Sequence, residues 1–184
     1  MSNYLAGIDY SMTSPAVCIY DASKKFHPDN CLFFVYSSMK KLNQLYGRNV
    51  FITQHELYEC DEQRFDQISE WSMAILNKFK VKEVCLEGYS MGSQGRVFAI
   101  AENAGLLKQK MYQSDIKFVT PAPTQVKKHF TGKGNATKPL MHEAFYAKTN
   151  ISIISLVNIE PDKSPVSDIV DSYAMLDWYL ANRG

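Results

Sequence analysis

The sequence is poor in several features that would classify a protein at a glance. It has four cysteines in 184 residues, Cys18, Cys31, Cys60 and Cys85, widely spaced and with no CxxC pair. That usage argues against a structural zinc site and for a reducing, cytoplasmic setting. No apolar run approaches the ~20 residues that span a bilayer, so no membrane association is expected; Cys31–Tyr36 is typical of the runs present. The opening Met1-Ser2-Asn3-Tyr4 has neither a basic segment nor an apolar one, so no signal peptide is expected. Internal repeats, low-complexity tracts and Gly/Ser linkers are also missing. What is there is a globular composition, 46% hydrophobic and 21% charged, in a chain of 21.0 kDa. That length fits one domain, residues 1–184, with room for a substantial core.

A net charge of +1 hides an uneven distribution. From Lys117 to Lys148 there are six lysines and a single acid, Glu143. From Glu56 to Glu70 there are six acids and a single arginine, Arg64. A chain neutral overall can still turn a basic face toward a polyanion. The simpler alternative is a pair of solvated helix surfaces.

Hydrophobic patterning divides the chain into alternating elements. Tyr4–Tyr10, Pro15–Tyr20 and Cys31–Ser37 read as strands with short connections, hence an antiparallel meander. Met39–Leu57 is ambiguous, with an extra strand conceivable at Asn49–Thr53. Phe65, Ile68, Trp71, Ile75, Leu76 and Phe79 recur at helical spacing, which predicts a helix over Asp61–Lys80. Val81–Glu87 reads as a strand and Gly88–Gly95 as a loop with three glycines. A long helix is predicted over Arg96–Tyr112 and a strand over Ile116–Thr120. A short helix should then run to Phe130, a second from an Asn135 N-cap to Lys148, and a last one from a Ser164 N-cap with Pro165 at its first position to about Asn182. The pattern is that of an α/β fold, a mixed sheet with crossover helices.

Four acids stand out by position. Asp9 and Glu87 each end a buried strand, where an isolated carboxylate is costly. Asp168 and Asp171, three apart, share one face of the last helix. Four carboxylates brought together are tolerable around divalent metal, and an all-oxygen set suits Mg2+ or Mn2+ rather than zinc. Two such ions ~4 Å apart can clamp the attacking and leaving oxygens of a phosphoryl displacement. Taken singly, Asp168 could be a helix N-terminal charge favoured by the dipole, and Glu87 a loop residue at a strand end.

These residues carry a resemblance. Gly7-Ile8-Asp9-Tyr10-Ser11-Met12-Thr13-Ser14-Pro15-Ala16 resembles the opening of RuvC-type Holliday-junction resolvases, in the RNase H-like superfamily. Val84-Cys85-Leu86-Glu87-Gly88-Tyr89 resembles that family's second acidic strand. Pro123–Lys128 with Thr131–Lys138 resembles its lysine-bearing segment, and Ser167–Ala174 its closing double-aspartate helix. The four motifs fall in the family's order and span most of the chain. The compact length is more similar to a virus- or phage-encoded member than to the bacterial housekeeping enzyme. The resemblance implies an RNase H-like mixed five-stranded sheet flanked by helices. It further implies a homodimeric, metal-dependent endonuclease that resolves four-way and other branched DNA by paired nicks. Asp9, Glu87, Asp168 and Asp171 would then be the catalytic metal ligands for two Mg2+, with Mn2+ as substitute. Lys127 and Lys138 match the family's basic residues near the scissile strand, and Lys138 would be catalytic as well. Apart from the resemblance, Lys128 and Lys133 in the basic segment, and Met91 and Arg96 in the glycine loop that leaves Glu87, are expected to contact DNA. No small-molecule cofactor is implied. The chain departs from the pattern in lacking a Pro-Gly after the first aspartate and in the length of Met39–Leu57.

Other features have ordinary readings. Thr131-Gly132-Lys133-Gly134 does not match a nucleotide-binding loop and lies between helices. The four histidines lack HExxH spacing. Ser11 and Thr13 are expected to cap the turn after the first strand, and Phe98 to sit on the buried face of its helix. An actin-like kinase or ATPase also opens with Gly-Ile-Asp, but it needs a second domain and a second phosphate-binding turn. An inactive junction-binding scaffold needs a broken acid set, whereas all four acids are present.

Overall fold

The computed structural model describes residues 3–89 and 97–183. The meander is as expected: β1 (Tyr4–Asp9) pairs antiparallel with β2 (Ala16–Asp21), and β2 antiparallel with β3 (Cys31–Ser37). Beyond β3 the chain forms β4 (Gln44–Tyr46) and β5 (Val50–Gln54), with β5 lying parallel to β3 and β4 at the edge. On the other side of β1, β6 (Glu83–Leu86) and β7 (Lys117–Val119) add in parallel. The sheet order is therefore β4-β5-β3-β2-β1-β6-β7, seven strands where five were expected. The two additional strands come from the ambiguous 39–57 segment. β4 is three residues long and keeps Leu45 exposed, so it carries no alternating pattern to read.

Both faces of the sheet are covered, which is why β1 and β2 are apolar at nearly every position. On one face lie α1 (Asp61–Lys78) and α2 (Val97–Gln113), over Ala6, Ile8, Val17, Ile19, Val84 and Leu86. On the other lie α3 (Pro123–Thr131), α4 (Lys138–Thr149), α5 (Ile153–Val157) and α6 (Val166–Asn182), over Leu5, Cys18, Phe33, Val35 and Cys85. Full burial of side chains such as Ile169, Leu176 and Phe145 is worth ~1.5–3 kcal/mol each, and this anchors the second helical layer.

Two helix starts differ from expectation. α4 begins at Lys138 after Thr137, not after Asn135. Pro139 is tolerated only in a first turn, and that fixes the start. α6 begins at Val166 with Pro165 at the cap position. The Ser164 hydroxyl is committed instead to Ser14 and Asp168. Phe98, expected to be buried, is 84% exposed. The buried residues of α2 include Asn103, Ala104, Leu107 and Met111. At ~100° per residue, Phe98 lies about half a turn from Leu107.

Candidate active site

Strand parity and register build the site. Ile8 is in register with Leu86, and the Glu87 N–H donates to the Ile8 carbonyl at 3.0 Å. Asp9 and Glu87 thus leave the sheet side by side, one strand spacing of ~4.8 Å apart. Side chains alternate along a strand, so both share the parity of Leu5 and Cys85 and face the α6 side. α6 runs along this face against β1, and Gly7 permits the approach. A Cβ at position 7 would strike the Ser172 carbonyl oxygen and come within 2.9 Å of Leu176 Cγ. The close fit brings Asp168 and Asp171, one turn apart on α6, up to the two strand ends.

Gly88 performs a similar service for the lysine segment. Its N–H donates to the Pro121 carbonyl at 3.0 Å, and a Cβ there would lie 2.6 Å from that oxygen. The chain leaving Glu87 is therefore held against the start of α3, which carries Lys127. α3 ends at Gly132 in the left-handed region (φ 81°), and the short turn that follows leads into α4 and Lys138. Thr131 Oγ1 donates to the Lys127 carbonyl at 2.8 Å and accepts from the Lys133 N–H at 3.1 Å, so Thr131–Gly134 is an inter-helix turn.

The four acids feel one another. Asp9 is pushed well above the ordinary carboxylate range, first by burial and then by the charges of Glu87, Asp168 and Asp171. The two strand-end acids act on each other in opposite senses, Glu87 raising Asp9 while Asp9 draws Glu87 down. Glu87 is itself raised by burial, against the opposing pull of Asp9, Lys127 and Lys138. Asp171 is pushed up to about 7 by desolvation, Glu87 and Asp168, again opposed by Lys127 and Lys138.

Of the expected site residues, then, the structure gathers Asp9, Glu87, Asp168, Asp171, Lys127 and Lys138 electrostatically. Lys128 and Lys133 are exposed on the same α3–α4 segment, and neither is among the charges that shift the acids. Met91 and Arg96 lie outside the described residues. His129 is engaged by Asp177, with Nε2 3.1 Å from Oδ2. Ser11 closes the turn after β1 as expected, accepting from the Thr13 and Ser14 N–H groups.

An all-carboxylate set crowded enough to hold back its own ionisation is chemically suited to a hard divalent cation. Among the described residues, no three His, Cys, Asp or Glu side chains form a ready-made metal cage.

Sequence reasoning missed the serines around Asp168. Ser164 and Ser167 each hold one of its oxygens, and Ser14 and Lys138 reach those serines in turn. The only sequence trace is Ser164-Pro165-Val166-Ser167-Asp168, which reads as a helix start.

The raised carboxyls set a pH dependence for the metal-free protein. Below about pH 4 folded and unfolded chains are both protonated at these positions, and the cluster costs nothing. As pH climbs toward 7, the unfolded chain has already lost these protons while the folded chain must give them up into a crowded negative cluster. The stability held at low pH is therefore lost as pH rises through about 7, the value for Asp171. Melting temperatures should show Mn2+ stabilising the protein more at pH 8 than at pH 5.5, with Asp171→Asn reducing the difference. Equal stabilisation at both pH values in the parent would contradict the coupling.

A mixed sheet of this order, flanked on both faces by helices and with acids gathered at adjacent strand ends, defines an RNase H-like protein. A sequence profile described as "Crossover junction endodeoxyribonuclease RuvC" matches residues 33–174. The chain belongs to the RuvC family, and its class of activity is endonucleolytic resolution of DNA crossover junctions.

Solved structures agree on the fold. Thermus thermophilus RuvC is matched with a TM-score of 0.59 at 16% identity, covering 97% of this chain and 95% of that one. The same protein in complex with a Holliday junction substrate is matched at 0.64 and 15% identity, covering 96% and 94%. The yeast mitochondrial Holliday junction resolvase Ydc2 is matched at 0.55 and 12% identity, covering 97% and 80%. No curated protein sequence matches significantly. Among the described residues, no helix is long and apolar enough to cross a membrane.

Proposed function

We propose that residues 1–184 act as one nuclease unit that resolves four-way DNA junctions by paired nicks, as a homodimer in the cytoplasm, which is the host's if the chain is phage-encoded. The observation that carries this reading is the convergence of four acids from β1, β6 and α6 opposite the cations Lys127 and Lys138. Asp9, Glu87, Asp168 and Asp171 would hold two Mg2+, with Mn2+ as a substitute. When bound, divalent cations supply the positive charge that activates water and stabilises the departing 3′ oxygen.

The chain's own residues do the rest. Lys138 offsets negative charge at the scissile phosphate, and Lys127 opposes the rise of Glu87 and Asp171 beside it. Lys128 and Lys133, both exposed, extend the cationic track along the phosphate backbone. Tyr89 stands just past Glu87, 41% exposed, with the Lys108 ammonium 4.3 Å from its ring centroid. It offers an aromatic face to unstacked bases. Met91 and Arg96, in the same connection, are read as probes of the junction centre. A native gel in EDTA tests recognition: the protein should shift a four-way junction at a lower concentration than a linear duplex of the same sequence. Equal midpoints at fixed salt would contradict selection of branched DNA.

Paired nicks on opposite strands need two active sites, and the outer face of α2 supports a second copy. Phe98, Gly105 and Tyr112 recur every seven residues on that face, and Phe98 and Tyr112 are 84% and 79% exposed. A Cβ at Gly105 meets nothing within 4 Å, so the single chain accommodates Gly105→Arg while a partner helix would not. Sedimentation at micromolar concentration should show twice the 21.0 kDa chain mass for the parent and a monomer for Gly105→Arg. The variant's melting temperature should not fall below that expected for a dissociated parent, because arginine is the better helix former. A variant that remains dimeric would remove α2 from the interface.

A further inference from the structure

Asp168 is 7% exposed and is the third residue of α6, yet neither of its oxygens is left without a partner. Ser164 Oγ lies 2.5 Å from Oδ2, and Ser167 Oγ lies 3.0 Å from Oδ1. Ser164 Oγ is also 2.5 Å from Ser14 Oγ, and Lys138 Nζ is 3.2 Å from Ser167 Oγ. A serine hydroxyl has one proton, and a carboxylate is the stronger acceptor. Ser164 and Ser167 therefore donate to Asp168. Ser14 then donates to Ser164, and the Lys138 ammonium donates to Ser167. The Ser14 N–H in turn donates to Ser11 Oγ at 2.8 Å, which fixes the loop that follows Asp9.

The arrangement costs α6 its natural cap. Pro165 occupies the cap position without a side-chain hydrogen bond, while Ser164 spends its hydroxyl on the carboxylate instead of a free helix N–H. Each Asp168 oxygen accepts one hydrogen bond here, and a carboxylate oxygen has lone-pair capacity for another partner. A carboxylate held at both oxygens has lost its rotational freedom before any ligand arrives. The network also joins residues 150 positions apart, so the loop after β1 and the start of α6 are set relative to each other.

We propose that Ser14, Ser164 and Ser167 form a hydroxyl relay that positions the Asp168 carboxylate for cation binding. The relay rests on the reading of Asp168 as a metal ligand. These serines are positioning residues, since they act through Asp168.

The test is direct titration of the DNA-free protein with Mn2+, following the free-ion electron paramagnetic resonance signal. Ser164→Ala and Ser167→Ala should each raise the Mn2+ midpoint about tenfold, the lower end of what loss of an outer-shell partner costs. Ser14→Ala, one hydrogen bond further out, should move it in the same direction by less. Ser167→Thr, which keeps the hydroxyl, should stay within about twofold of the parent. In nicking assays the alanine variants should need more Mg2+ for half-maximal rate but approach the parent's rate at saturation.

A merely structural clasp would lower the melting temperature and leave the Mn2+ midpoints unmoved, and that result overturns the proposal. If Ser167→Ala does not fold, Ser14→Ala and Ser164→Ala read the same path and decide it. An Asp168→Asn variant with the parent's midpoint also overturns the proposal, by removing the ligand on which it rests. A parent whose Mn2+ binding depends on Asp168 and the serines, but which nicks no DNA, supports the relay and contradicts the nuclease reading instead.

Discussion

Asp9→Asn, Glu87→Gln and Asp171→Asn should each slow junction nicking by at least about a hundredfold, the upper end of what loss of an outer-shell partner costs at a metal site. Junction affinity in the absence of metal should change by less than about threefold, because phosphate contacts from lysines supply most of it. The separation follows from geometry. Asp9 and Glu87 extend from adjacent strand ends onto the α6 face, whereas Lys127, Lys128, Lys133 and Lys138 belong to α3, the following turn and α4. The substitutions are nearly isosteric and remove negative charge from a crowded cluster, so folding should not suffer. The fold pushes Asp171 up to about 7, and taking that carboxyl away relieves a strain. Nicking rates and gel-shift midpoints measured on the same preparations decide the matter. Near-parental nicking in two of the three variants would sink the assignment of the acids.

Replacing Mg2+ with Ca2+ should leave junction binding in place and lower nicking by at least about a hundredfold, while Mn2+ sustains it. Oxygen ligands surround Mg2+ at ~2.0–2.1 Å in near-octahedral geometry and Ca2+ at ~2.3–2.6 Å with variable coordination. The larger ion can occupy an all-carboxylate cluster without holding the near-octahedral geometry that the in-line displacement requires. Chelation with EDTA should stop cleavage altogether. Efficient nicking in EDTA would rule out metal-dependent chemistry at these acids.

What was legible in the sequence was whatever depends on neighbours in the chain. The meander, the amphipathic α1 and the acids at strand ends were readable because period 2, period 3.6 and strand termini are local signals. The 39–57 segment was not, because β5 owes its place to pairing with β3, and β4 is three residues attached to β5. Phe98 was misplaced because an aromatic residue on a predicted helix was assigned to its buried face. The buried stripe of α2 through Leu107 and Met111 runs on the opposite side. The acids could be named individually, but their mutual effect needed two close approaches, at Gly7 and Gly88, that appear only once α6 and Pro121 are in place. The serine relay was invisible for the same reason, since Ser14 meets Ser164 across 150 residues.

The central claim is that one acid cluster, with a divalent cation, cuts branched DNA. The most direct measurement is denaturing-gel cleavage of a four-way junction labelled on each strand in turn, beside a linear duplex of the same sequence, with Mg2+ and with EDTA, for the parent and Asp9→Asn. The expected result is paired nicks at symmetric positions on two opposite strands of the junction. They should appear only with the parent and only with Mg2+, and the duplex should stay intact. Cleavage that persists in Asp9→Asn, or a parent that leaves the junction uncut at any Mg2+ concentration, would contradict it.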